Sequence, residues 1–154
     1  MWTREWRNCD TSIMRIRIAK VLTPNDLGRT GSHQTGIHVP KTSGLLKRLP
    51  TLDPTKRNPS VIVRFSCEQL GRELDIRFIY YNSRLHPPGN RNEYRITRLS
   101  PLFKGLRPDP GDMLWFEFSS SAEGEERSLT VERNSAPNEE SDDPRWVIEE
   151  IPFD

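Results

Sequence analysis

"VIVRFSC" (residues 61–67) and "LDIRFIYY" (residues 74–81) are the stretches on which the fold turns. Successive side chains of a strand point to opposite faces, so a period of two marks an extended segment with a preferred inner side. In the second stretch Ile76, Phe78 and Tyr80 share one face and Arg77, Ile79 and Tyr81 the other, which reads as a strand covered on both sides. Working outward, further strands are expected in "IMRIRIAKVL" (13–22), "IHVP" (37–40), "EYRITRL" (93–99), "MLWFEFS" (113–119), "SLTVER" (128–133) and "RWVIEEI" (145–151). "KTSGLLKRLP" (41–50) has room for one or two helical turns with Leu45, Leu46 and Leu49 on one face. "TPNDLGRTGSHQTG" (23–36) and "TLDPTKRNPS" (51–60) carry loop chemistry. "SSSAEGEERS" (119–128) and "NSAPNEESDDP" (134–144) are expected as solvated acidic loops. Short strands at near-regular spacing, with 13 prolines and 9 glycines, favour a barrel or sandwich over βαβ units. The expectation is a single, mainly β domain spanning residues 1–154, a barrel of about seven strands with one or two short helices.

The formal charge of +1 conceals an asymmetry along the chain. Residues 1–107 hold 20 Lys or Arg against 8 Asp or Glu, and residues 108–154 hold 3 against 14. This suggests a basic working surface that attracts polyanions and an acidic C-terminal segment, 108–154. Cys9 and Cys67 are too few for a disulfide framework and lie at no zinc-ligand spacing, so unpaired thiols in a reducing compartment are expected. No apolar run is long enough to span a bilayer, and the charged start "MWTREWRNCD" has no apolar signal core. The expected setting is cytoplasmic, with no membrane partner.

Enzymatic signatures are sparse. Asp109 and Glu117 echo the acids of metal-dependent nucleases, but Ser119 stands where such sites want a lysine, and "RPDPGD" reads more simply as a turn. Nucleophile elbows, P-loops and metal-spaced His/Cys clusters have no counterpart in the sequence. No catalytic residue, metal ligand or cofactor is expected.

Two segments carry a different chemistry. In "LGRTGSHQTGIHVPK" (27–41), glycines permit close backbone approach, and Arg29, His33, Gln34, His38 and Lys41 supply donors. "YYNSRLHPPGNRNEYRITR" (80–98) places Arg84 and Arg91 on opposite limbs of a hairpin and sets Glu93 among Arg91, Arg95 and Arg98, beside Asn92. A phosphate-binding arm needs only the bases, because a carboxylate repels phosphate. A major-groove reader uses both kinds, since arginine fits guanine O6 and N7 and a carboxylate accepts from cytosine N4. Glu93 is thus expected either to read cytosine or to orient Arg91 and Arg95 towards guanine. An ordinary solvated ion pair with Arg95 or Arg98 explains the same residues, and the sequence leaves the two open. Two other functions also stay open: a protein-interaction module using the acidic segment, and a single-strand or RNA-binding barrel in which Tyr80, Tyr81 and Tyr94 stack on bases.

In "TGSHQTGIHVP" (30–40), "NPSV" (58–61), "YYNSR" (80–84) and "RNEYRITR" (91–98), the chain resembles the N-terminal effector-binding domain of EcoRII-type restriction endonucleases. The resemblance implies a B3-like pseudobarrel gripping duplex DNA with two major-groove arms, residues 27–41 and 84–98. It implies a CCWGG target that is bound without being cut, with catalysis left to a nuclease domain in cis or in trans. By the same match, His33, Arg84, Arg91, Glu93 and Arg95 would lie next to bases or phosphates. The turn "LHPPGN" departs from the family's shorter, lysine-bearing turn, which bears on sequence preference more than on DNA binding.

Overall fold

The computed structural model describes residues 14–29, 36–134 and 146–152, so His33, Gln34 and Cys9 lie outside the described residues. Eight strands form one sheet: β1 (Met14–Val21), β2 (Ile37–Val39), β3 (Ser60–Cys67), β4 (Arg72–Tyr81), β5 (Glu93–Thr97), β6 (Met113–Ser121), β7 (Gly124–Glu132) and β8 (Trp146–Pro152). Their order is β2-β5-β4-β3-β7-β6-β1-β8, which divides into two antiparallel groups of four. The groups meet at a parallel β3/β7 seam whose single registered pair is Ser66 and Ser128. Gln69 reinforces it: its side-chain amide donates to the Val131 carbonyl (2.9 Å) and accepts from the Val131 N–H (2.7 Å), as a strand backbone would.

Alternation works as expected inside the sheet. Ile16 and Ile18 of β1, Phe65 of β3, Phe78 of β4, Ile96 of β5, Phe116 of β6 and Leu129 of β7 meet in one hydrophobic cluster that both groups share. Phe65 packs edge-on against Phe116 and Phe118 across the seam, at 6.0 and 5.8 Å between centroids. A cluster fed from both groups requires the sheet to curl around it. Leu45 and Leu49 close one end from either side of a 3-10 turn at Leu46–Arg48, a shorter element than the one or two helical turns expected there.

Two features depart from the sequence reading. The short helix falls at Ser100–Leu106 (α1) rather than at 41–50: Pro101 starts it, and Gly105 lets it lie against Leu70, where an added Cβ would fall 2.5 Å from a Leu70 methyl. The stretch 119–128 is not a loop. β6 and β7 run through it and turn at Ala122 and Glu123, with Gly124 at a positive φ of 127°. Most of its side chains are exposed on this two-stranded ribbon, so the backbone ladder holds it without leaving an apolar alternation in the sequence.

Nor are the described residues after 108 an appendage. β6 and β7 lie within the sheet, and Glu117, Glu132 and the adjoining Asp112 are engaged there. Glu117 bonds Arg15 and Arg17, Glu132 accepts from the Trp115 indole (2.6 Å), and buried Asp112 takes the N–H groups of Asp109 and Asn134 and a guanidinium nitrogen of Arg133. Burial opposes the Asp112 charge, but these donors offset it and hold the carboxyl below the usual aspartate range.

Candidate nucleic-acid interface

β5 sorts its residues by parity. Glu93, Arg95 and Thr97 take one face, and Tyr94 and Ile96 take the core face. On the first face, Glu93 is clamped. Arg91 donates Nε and Nη2 to its Oε1 at 3.0 and 2.6 Å, and the Arg95 Nε stands 3.3 Å from the same oxygen. Burial alone would raise the Glu93 pKa, but the bonds and charges of Arg91 and Arg95 more than offset it and hold the carboxyl below its ordinary value.

The two arginines have different fates. Arg95 is only 5% exposed and gives Nη1 to the Gly36 carbonyl (3.3 Å), so it ties the hairpin to the end of the first segment. The Arg91 guanidinium lies over the Tyr81 ring, 3.7 Å from its centroid, with 40% of its side chain exposed. Glu93 occupies the Nε/Nη2 edge of that guanidinium, which leaves the Nη1 end pointing away from the carboxylate. Arg84 stands opposite: its N–H donates to the Arg91 carbonyl (3.0 Å), and its exposed side chain makes no ion pair among the described residues.

β2 brings the first segment to the same place. It pairs with β5 so that His38 faces Arg95 across the ladder. Gly36 is needed for this approach: its φ is 89°, and an added Cβ would sit 2.2 Å from the Ile96 carbonyl oxygen. The close approach that this glycine permits is therefore to β5 of its own chain. Partial burial lowers the His38 pKa most; Glu93 opposes this, while Arg95 and Lys20 add to it, and the ring stays below the ordinary imidazole value. On the core-side rim, Lys41 Nζ and the Tyr80 hydroxyl both donate to Asn92 Oδ1, at 2.8 and 2.6 Å.

Other expected residues fall elsewhere. Arg29 lies against the 108–109 turn, 3.4 Å from Asp109 Oδ1. Exposed Arg98, at a positive φ of 65°, follows β5 and acts on Asp75 rather than on Glu93. Asp109 and Glu117 are engaged by different arginines, and among the described residues no group of acids, histidines or cysteines could hold a metal. Tyr80 and Tyr94 stack on each other at 4.3 Å and Arg91 covers Tyr81, so each tyrosine already has a ring partner within the chain.

Sequence reasoning missed the support beneath the hairpin. Asn58 and Asn82 bond reciprocally, each side-chain oxygen accepting the other's backbone N–H at 2.8 and 3.2 Å. Asn82 also gives Nδ2 to the Lys56 carbonyl (2.7 Å), and Ser83 Oγ accepts the Arg91 N–H (2.8 Å). The available signal was the pair of asparagines in "NPSV" and "YYNSR", two motif residues without an obvious chemical role. Below the first segment, Lys20 and Asp26 form an ion pair of 2.9 Å, with Lys20 only 2% exposed.

Residues 11–143 match the model of the family "restriction endonuclease EcoRII, N-terminal". The chain belongs to this EcoRII N-terminal family. The type II restriction enzyme EcoRII of Escherichia coli is 43% identical over 82 residues, covering 51% of this chain and 20% of that enzyme. The match thus spans about a fifth of this relative's length. The B3 domain of the UbaLAI restriction endonuclease, solved with cognate DNA, superposes with a TM-score of 0.61 at 20% identity, over 90% of this chain and 88% of that one. The EcoRII N-terminal fold described above is accordingly that of a B3 domain. No helix among the described residues is long and apolar enough to cross a membrane.

Proposed function

We propose that this chain is a sequence-specific duplex-DNA-binding effector domain without catalysis of its own, directed to a short G/C-rich near-palindrome such as CCWGG. It works with a nuclease supplied in cis or in trans. The observation that carries the reading is the Glu93 clamp. Held by a carboxylate on one edge and an aromatic ring beneath, Arg91 is preorganised to offer its remaining donors to guanine O6 and N7. Because Arg95 is buried, it acts in this reading as the strut that fixes Glu93 and joins the two arms. Arg84 contacts base or phosphate from the opposite limb, and His38, Asn92 and Lys41 contribute from the rim that the arms share.

A mobility-shift assay tests this, with a CCWGG duplex against duplexes altered at one base pair, in the absence of metal and at fixed salt. The expected result is preference for CCWGG without cleavage. Tight preference for another sequence would retain the DNA-reading function and replace the target; no preference among duplexes would overturn the reading. A preference for single strands would favour base stacking, against which the mutual stacking of Tyr80 and Tyr94 weighs.

A further inference from the structure

The loop over residues 53–59 is tied to the second arm by more bonds than a connecting loop requires. Besides the reciprocal Asn58/Asn82 pair and the bond from Asn82 to the Lys56 carbonyl, the His86 ring meets the Pro54 carbonyl at 2.9 Å. Arg57 reaches the Pro88 carbonyl at 3.4 Å, on the far side of the turn. The loop is also braced from within: Asp53 caps Thr55 through its N–H and hydroxyl, at 2.9 and 2.6 Å. A loop fixed to both sides of a turn cannot move independently of it, so whatever the turn approaches, the loop approaches too.

What the loop presents there is positive charge. Lys56 and Arg57 are both exposed, and neither makes a salt bridge among the described residues. Asp53, the one acid of the loop, acts on Lys56 only at longer range and is itself satisfied by Thr55. With Arg84 on the neighbouring limb, the loop and the arm it is tied to carry three exposed cations, none of them in a salt bridge among the described residues.

We infer that residues 53–59 form a third DNA-contacting element, docked on the second arm, in which Lys56 and Arg57 contact backbone phosphates beside the base pairs that the arm reads. This rests on the proposed duplex-binding function and adds a site to it. Phosphate is the fitting partner because the loop offers exposed cations without the carboxylate partner that orients Arg91 for base reading. The Asn58/Asn82 pair then acts as the positioning device that keeps phosphate contact and base contact in register.

The test measures duplex affinity against salt for the whole chain and for Lys56→Ala, Arg57→Ala and, as a charge-matched control outside this loop, the exposed Lys47→Ala. Each loop variant is expected to weaken matched and mismatched duplexes by the same factor and to reduce the slope of log K against log salt by about 0.9. Lys47→Ala should leave the slope nearly unchanged. A scan of single methylphosphonate substitutions in the duplex then identifies the contact, because the neutralised phosphate that weakens the parent chain should have no further effect on Lys56→Ala. Loop variants that match the control in slope, with the parent still binding, would overturn the loop site alone. A parent that shows no salt-dependent duplex binding would overturn the function beneath it as well.

Discussion

Glu93 on β5 and Glu117 on β6 are each held between two arginines, one of which lies over an aromatic ring. Arg91 and Arg95 hold the first, with Arg91 over Tyr81; Arg15 and Arg17 hold the second, with Arg17 4.1 Å from the Trp115 centroid. Their settings differ. Glu117 lies between β1 and β7, opposite Arg17 and Ser128 in register, and Ser128 Oγ adds a third donor at 3.3 Å. Glu93 stands at the first residue of its strand, where the hairpin leaves the sheet and the side chain of the neighbouring Arg84 makes no ion pair among the described residues. One clamp joins three strands of the sheet, while the other holds Arg91 at the point where the hairpin leaves it. A glutamate among arginines is thus no signature of DNA reading until its place in the fold is known.

The strongest way to break this comparison is to remove the aimed side chain. Arg91→Ala should cost about 1–3 kcal/mol on the preferred duplex and relax specificity at one base pair. Arg17→Ala should leave binding to all duplexes unchanged. Comparable losses from the two, measured on matched and singly altered duplexes, would make the clamps equivalent.

A gentler change separates aiming from attraction. Glu93→Gln keeps the shape but loses the charge that orients Arg91, so discrimination between sequences should fall more than affinity for random DNA does. Equal losses on both would assign Glu93 to folding instead. Glu117→Gln should have its effect on unfolding: about 1 kcal/mol by denaturant titration, as for a partly screened ion-pair network, with discrimination intact.

The smallest effect is on His38, which feels Glu93. Its folded pKa lies below the ordinary value, so the native state favours the neutral ring. Stability tied to it is present above about pH 6.5 and declines as pH falls below that. For Glu93, also depressed, the linked stability is present above the ordinary glutamate range and is lost as pH falls through the lower folded value. Because Glu93 is what raises the His38 pKa, Glu93→Gln should move the imidazole titration, followed by NMR, to still lower pH, whereas Glu117→Gln should not move it.

By itself, the sequence determined the strands whose two faces differ. Ile16 and Ile18 against Arg15 and Arg17 state an inside and an outside, because burial rewards one parity and penalises the other. It also marked the basic hairpin and the acid within it, since composition needs no coordinates. Where neither face is buried, as along Ser119–Ser128, or where Gly105 and nearby prolines mask a short helix, the local signal was absent. Only the tertiary structure decided what those residues do. Backbone pairing placed His38 against Arg95, packing buried Arg95 while leaving Arg91 exposed, and the Asn58/Asn82 bonds carried Lys56 and Arg57 to the arm. These are contacts between segments up to 59 residues apart, as for Arg95 and Gly36, and no local pattern encodes them.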